Sequence, residues 1–152
     1  MRYTFKSVID WRHVFIVFAL LSAVARPSQA EAVEIGQRYA GGVVFNVDES
    51  GRHGLVAATR DLPGNNYDWQ QAKEACGRFV HNGYSDWYLP SKWELSELYK
   101  HKWVVGGFAD DSYWSSTEVS AHYAWLQYFV DGGQTYFSKG SDNFRVRPVR
   151  AF

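Results

Sequence analysis

The sequence predicts an α+β fold with two helices packed beside twisted antiparallel β-sheets, and three observations predict it. Asp68 precedes Gln71, and Ser91 precedes Glu94, each at the three-residue spacing of a capping box ahead of a helically periodic stretch. Upstream, residues 43–47 and 55–59 are two short apolar runs separated by turn-forming residues. Downstream of Tyr113 the chain turns into short aromatic and β-branched runs divided by Asp, Gly and Ser.

The chain has 152 residues, and its beginning reads as an export signal. Arg2, Lys6 and Arg12 precede a nearly continuous apolar run from Val14 to Ala25, and the small-x-small triplet Ser28-Gln29-Ala30 follows. The run is too short for a bilayer span, which needs about 20 residues. This layout predicts a secretory signal peptide over residues 1–30, cleaved after Ala30, and a secreted or periplasmic protein. An uncleaved signal anchor is the alternative. Glu31 rather than a cysteine directly follows the cleavage point, which argues against a lipoprotein. The remainder, residues 31–152, is expected to be one domain. Without Arg2, Lys6, Arg12, Arg26 and Asp10 it carries 12 basic and 15 acidic residues, net −3. That balance excludes the basic footprint of a nucleic-acid binder.

Cys76 is the one cysteine, so no intramolecular disulfide exists and the core must hold the fold unaided. An aromatic content of 18% supplies the material for such a core. Cys76 falls among apolar residues of a predicted helix and is expected to be buried. Exposure would instead leave it open to intermolecular pairing.

Taken in order, residues 35–39 are a lead-in broken by Ala40-Gly41-Gly42. The runs 43–47 and 55–59 form a hairpin around the turn residues 48–54. The first helix starts after Asp68. Trp69, Ala72, Cys76, Phe79 and Val80 line one face, and the helix is expected to stop at His81-Asn82-Gly83. The loop that follows contains Trp87, expected to pin it to the core. Pro90 holds Leu89 extended, and Ser91 caps a second helix that runs to about Lys100 with Leu95, Leu98 and Tyr99 inward. Four antiparallel strands are then expected, in residues 113–117, 123–130, 134–138 and 144–150. In the last, Phe144, Val146 and Pro148 alternate with Arg145, Arg147 and the positions beside Arg150, which predicts one buried and one cationic face.

Three segments resemble one family when read as an ordered set. They are Gly83-Tyr-Ser-Asp-Trp-x-Leu-Pro-Ser-x-x-Glu-Leu, Tyr113-Trp-Ser-Ser-Thr-Glu118, and Val146-Arg-Pro-Val-Arg150. Together they resemble the Lcl C-terminal domain family, named for a Legionella collagen-like adhesin. The resemblance spans about Ile35 to Phe152. It implies a C-type-lectin-like fold, a distant kinship with formylglycine-generating sulfatase-modifying domains, and adhesion to sulfated glycosaminoglycan-like polymers. Family members usually carry arginine where this chain has Tyr88, so a salt bridge from that position does not carry over. No collagen-like repeat occurs here, so trimerisation by a stalk does not carry over either.

Catalytic motifs are missing from the sequence. There is no phosphate loop, no Gly-x-Gly-x-x-Gly and no His-Glu-x-x-His, and the serines of Tyr113-Trp-Ser-Ser-Thr lack a nucleophile elbow. The paired cysteines of sulfatase-modifying enzymes are absent. His53, His81, His101 and His122 show no zinc-ligand spacing. Asp110, Asp111, Glu118, Asp131 and Asp142 have the oxygen chemistry for calcium, but solvated loop carboxylates are the commoner explanation of such residues. No cofactor is therefore expected. The sugar triplets of calcium-dependent lectins, Glu-Pro-Asn and Gln-Pro-Asp, do not occur.

What remains is a surface. Tyr123, Tyr128, Tyr136, Lys139, Asn143, Arg145 and Arg147 interleave aromatic, amide and basic groups on the C-terminal strands and turns, and Arg150 extends the basic set. Such a mixture suits sugar stacking, acidic-polymer binding or a protein interface. The sequence thus points to a non-catalytic binding or adhesion module whose partner is a glycan, a sulfated polymer or a protein surface. The alternatives are a remnant of a sulfatase-modifying enzyme and a structural subunit of a cell-envelope assembly.

Overall fold

A computed structural model describes residues 32–64, 67–140 and 144–152. The expected signal segment and Asn143 lie outside them. The strands β1 (Arg38–Tyr39), β2 (Gly42–Val47) and β3 (Gly54–Ala57) come first, followed by α1 (Trp69–Gly77), α2 (Lys92–Lys100) and α3 (Lys102–Val105). Then come β4 (Ser112–Glu118), β5 (Tyr123–Tyr128), β6 (Gln134–Ser138) and β7 (Val149–Ala151). The fold is α+β with two antiparallel sheets, ordered β1-β2-β3-β7 and β4-β5-β6.

Both expected capping boxes form. Asp68 accepts from the Gln71 N–H at 2.7 Å, and the Gln71 side chain accepts from the Asp68 N–H at 3.2 Å. Ser91 accepts from the Glu94 N–H at 3.2 Å, and Glu94 Oε2 accepts from the Ser91 N–H at 2.7 Å. The other oxygen of Glu94 accepts from the Tyr88 hydroxyl at 2.8 Å. Tyr88, the departure from the resembled pattern, thus holds the glutamate with a hydroxyl. Burial, then the neighbouring Glu94 carboxylate, pushes the Tyr88 phenol well above its ordinary range.

Two elements differ from the sequence expectation. Helix α1 ends at Gly77, short of residues 81–83. His81 and Tyr84 instead exchange two 3.0 Å backbone hydrogen bonds around Asn82 (φ 50°) and Gly83 (φ 84°). Positive φ at both central residues makes Asn-Gly the turn of a small hairpin rather than a helix stop. Phe79, released from the helix, packs on His81 and Trp87 at 5.4 and 5.7 Å. The second difference is the C-terminal strand, which crosses to the first sheet. Leu55, Val56 and Ala57 pair with Ala151, Arg150 and Val149. Residues 144–148 make only isolated contacts, because Pro148 has no N–H to extend a ladder and offers just its carbonyl, to Ala58 at 2.9 Å.

The first sheet is covered on both faces. Val43, Phe45, Leu55, Ala57 and Val149 pack with Leu95, Leu98, Tyr113 and Phe129, while Val44, Val56 and Ala58 pack with Val33 and Trp87. Trp87 pins its loop as expected, buried and donating its indole N–H to the Tyr84 carbonyl at 3.1 Å. One face of the second sheet is buried where Trp114, Ala124 and Leu126 meet Trp69, Ala72 and Cys76 of α1, and the opposite face is covered by α2 only at the Tyr113–Gln127 end. Cys76 is fully buried. Among the described residues no helix is long and apolar enough to cross a membrane.

Candidate ligand-binding site

The outer face of the second sheet is built by strand alternation. Ala124 and Leu126 point into the core, so Tyr123 and Trp125 share the opposite face of β5. The register sets Tyr136 of β6 opposite Trp125, and Ser138 opposite Tyr123. The rings of Tyr123 and Tyr136 lie 5.8 Å apart edge-to-face, and those of Trp125 and Tyr136 lie 5.9 Å apart. Tyr123 and Tyr136 are 44% and 53% exposed. At one margin Lys92, the first residue of α2, holds its ammonium 3.2 Å from the centroid of the Trp125 ring. Its backbone is fixed on both sides. Its N–H donates to Thr117 Oγ1 at 2.8 Å, and its carbonyl accepts from Gln134 Nε2 at 3.0 Å. The result is an aromatic platform about three rings wide with one cation at its edge. Such a face stacks the apolar side of a sugar ring, and its cation offers a charge-assisted hydrogen bond to an acidic substituent.

Of the residues expected from sequence, Tyr123 and Tyr136 meet here. Tyr128 is exposed but sits at the other end of β5, beside the hairpin turn. Lys139 lies beyond β6 and turns towards α1. Its ammonium binds Glu118 at 2.5 Å and the Ala121 carbonyl at 3.1 Å, and lies 4.5 Å from the Trp69 ring centroid. Its hydrogen bond and charge hold the Glu118 carboxyl below its ordinary range.

The expected cationic face of residues 145–150 requires correction. Arg147 is 0% exposed. Its Nε donates to Asp61 at 2.7 Å, one terminal nitrogen donates to the Ala58 and Gly106 carbonyls at 3.0 and 3.1 Å, and the other donates to Gly107 at 2.5 Å. The guanidinium also stacks on Phe108 at 3.8 Å. Burial lowers its proton affinity, and the Asp61 carboxylate opposes that. Asp61 further accepts from the Tyr113 hydroxyl at 2.7 Å. Arg145 donates to Asp111 at 2.8 Å and lies 3.6 Å from Asp61. Arg150 is bidentate on Asp86 at 2.7 and 2.8 Å, donates to the Ala40 carbonyl, and stacks on Tyr84. Each arginine of the terminal segment is therefore consumed by the fold. Alternation correctly separates Arg145 and Arg147 from Val146, but their side is covered by loops carrying Asp61 and Asp111, and Arg150, in step with Val146, is held by Asp86.

Trp125 and Lys92 belong to the platform and were not among the expected site residues. The spacing of Tyr123 and Trp125 signals one shared face. Lys92 is placed there only by the packing of α2 against the sheet. Among the carboxylates weighed for calcium, Asp111 and Glu118 hold Arg145 and Lys139, and Asp131 accepts from the Gly133 N–H. Among the described residues no group of three or more metal-ligating side chains converges.

Comparison with known proteins gives one family. The model of the Lcl C-terminal domain matches residues 45–150. No curated protein matches the chain.

Proposed function

Because the chain belongs to the Lcl C-terminal domain family, we propose that it is an adhesin-type, non-catalytic binding module that takes a glycan on the outer face of the second sheet. The observation that carries this reading is the set of Tyr123, Trp125 and Tyr136 on one exposed face with Lys92 at its margin. Apolar rings stabilise the fold when buried, so the exposed Tyr123 and Tyr136 flanking the half-buried Trp125 are better placed for a ligand than for the core. On this reading Trp125 and Tyr136 stack a sugar, and Lys92 favours chains bearing sulfate or carboxylate. The C-type-lectin-like classification belongs with this function. The export-type N-terminus fits a module that meets its glycan outside the cytoplasm.

The test is retention of the purified protein on immobilised heparin and on a neutral glycan array across a salt gradient. Trp125→Ala is expected to weaken binding by several-fold up to about tenfold, the worth of one stacking contact. Lys92→Gln is expected to flatten the salt dependence. Unchanged retention of Trp125→Ala would remove the platform from the reading. Absence of retention on every glycan would remove the glycan.

A further inference from the structure

We propose that β6 pairs antiparallel with β6 of a second copy of this chain, joining two three-stranded sheets into one of six strands. The order β4-β5-β6 leaves β6 at an edge. The ladder fixes which of its backbone groups are free. Lys139 donates to the His122 carbonyl at 2.9 Å and Tyr128 donates to the Gly133 carbonyl at 2.8 Å. With Ala124 opposite Phe137 and Leu126 opposite Thr135, alternation puts the hydrogen bonds to β5 on Thr135 and Phe137. The N–H and C=O groups of Gln134, Tyr136 and Ser138 therefore face away from β5, and among the described residues no hydrogen bond occupies them.

Edges of this length are ordinarily guarded by a charge, a proline or a bulge. Here Gln134-Thr-Tyr-Phe-Ser138 is uncharged, free of proline and unbulged, and Tyr136 and Phe137 are both exposed. Lys139, just past the strand, is held by Glu118 and Ala121 and does not guard it. The other sheet offers no equivalent, since its β1 edge is two residues long and includes Arg38, and its β7 edge is three residues long and already paired with Tyr88 at Val149.

The free groups are self-complementary, which is the argument for a second copy over an unrelated peptide. A two-fold axis through Tyr136 sets Tyr136 against Tyr136 and Gln134 against Ser138. Every outward group then meets another, with about six backbone hydrogen bonds in all, two for each hydrogen-bonded pair. No like charges are brought together. The side chains of Gln134, Tyr136 and Ser138 lie on the platform face, so pairing also makes one continuous platform from two. The pairing rests on the edge alone and does not require a glycan.

The test is the solution mass by light scattering over a concentration series, together with cross-linking. The expected result is a mass that rises to that of two copies. Tyr136→Lys, which sets two ammonium groups opposite each other, is expected to return the mass to one copy with circular dichroism unchanged. Under mild oxidation Tyr136→Cys is expected to form a disulfide dimer well ahead of Val130→Cys, an exposed control at the hairpin end. This second readout decides should Tyr136→Lys fail to fold. A single-copy mass at all concentrations, with Tyr136→Cys no faster than the control, would overturn the proposal. So would a dimer that Tyr136→Lys leaves intact.

Discussion

Arg147 is the residue on which the C-terminal segment turns. It brings a full charge inside the protein and meets it with Asp61, three carbonyls and the face of Phe108. Removing one member of such a pair leaves the other charge stranded, at a cost of about 3–5 kcal/mol. Arg147→Ala is therefore expected to lower the urea midpoint drastically or prevent folding, whereas Arg145→Ala, whose pairing is partly exposed, costs far less. Equal midpoints for the two would refute the assignment. Burial also pushes the Cys76 thiol up to about 12. The unfolded thiol ionises near about 8.5, so above that pH the unfolded chain loses a proton that the folded chain keeps. This contribution to stability is intact below about pH 8.5 and declines as pH rises towards the folded value. At pH 8 a thiol reagent should react with Cys76 at the rate of global unfolding. Rapid stoichiometric labelling of the native protein would contradict the burial.

At the scale of elements, the helix starts follow from local chemistry and the terminal strand does not. The capping boxes Asp68/Gln71 and Ser91/Glu94 are legible because a side chain three residues away satisfies its neighbour's backbone, and nothing distant is needed. Ser91→Ala is expected to cost ~1 kcal/mol, measured as a shift in denaturation midpoint. Gly83→Ala should cost a similar ~1 kcal/mol, since its φ of 84° is left-handed while open space surrounds it. A fully tolerated Gly83→Ala would deny the Asn82-Gly83 turn. The end of α1 was not legible, because Asn-Gly signals both a helix stop and a hairpin turn. Helix α3 has no capping side chain and gave no signal. Arg145 and Arg147 alternate as a half-exposed strand would, and their pairing depends on Asp61, which is 86 residues from Arg147. Sequence spacing reports which residues share a face. It does not report what covers that face.

At the scale of the molecule, the two sheets divide the work. The first, closed on both faces and joined to the C-terminus through β7, holds the domain together. The second buries one face against α1 and, beyond the end covered by α2, leaves Tyr123 and Tyr136 exposed and Trp125 half-buried on the other. Half of this platform was readable as aromatic residues on late strands. Trp125 needed the register, and Lys92 needed the packing of α2. On the proposed function this face, and not the arginine-rich terminus, receives the ligand. The most direct test of this is a backbone and indole N–H spectrum of the protein titrated with a heparin oligosaccharide and, separately, with a neutral oligosaccharide. One of them is expected to shift Tyr123, Trp125 including its indole, Tyr136 and Lys92, with Arg147 unmoved. Shifts centred on residues 145–150, or none from either sugar, would contradict it.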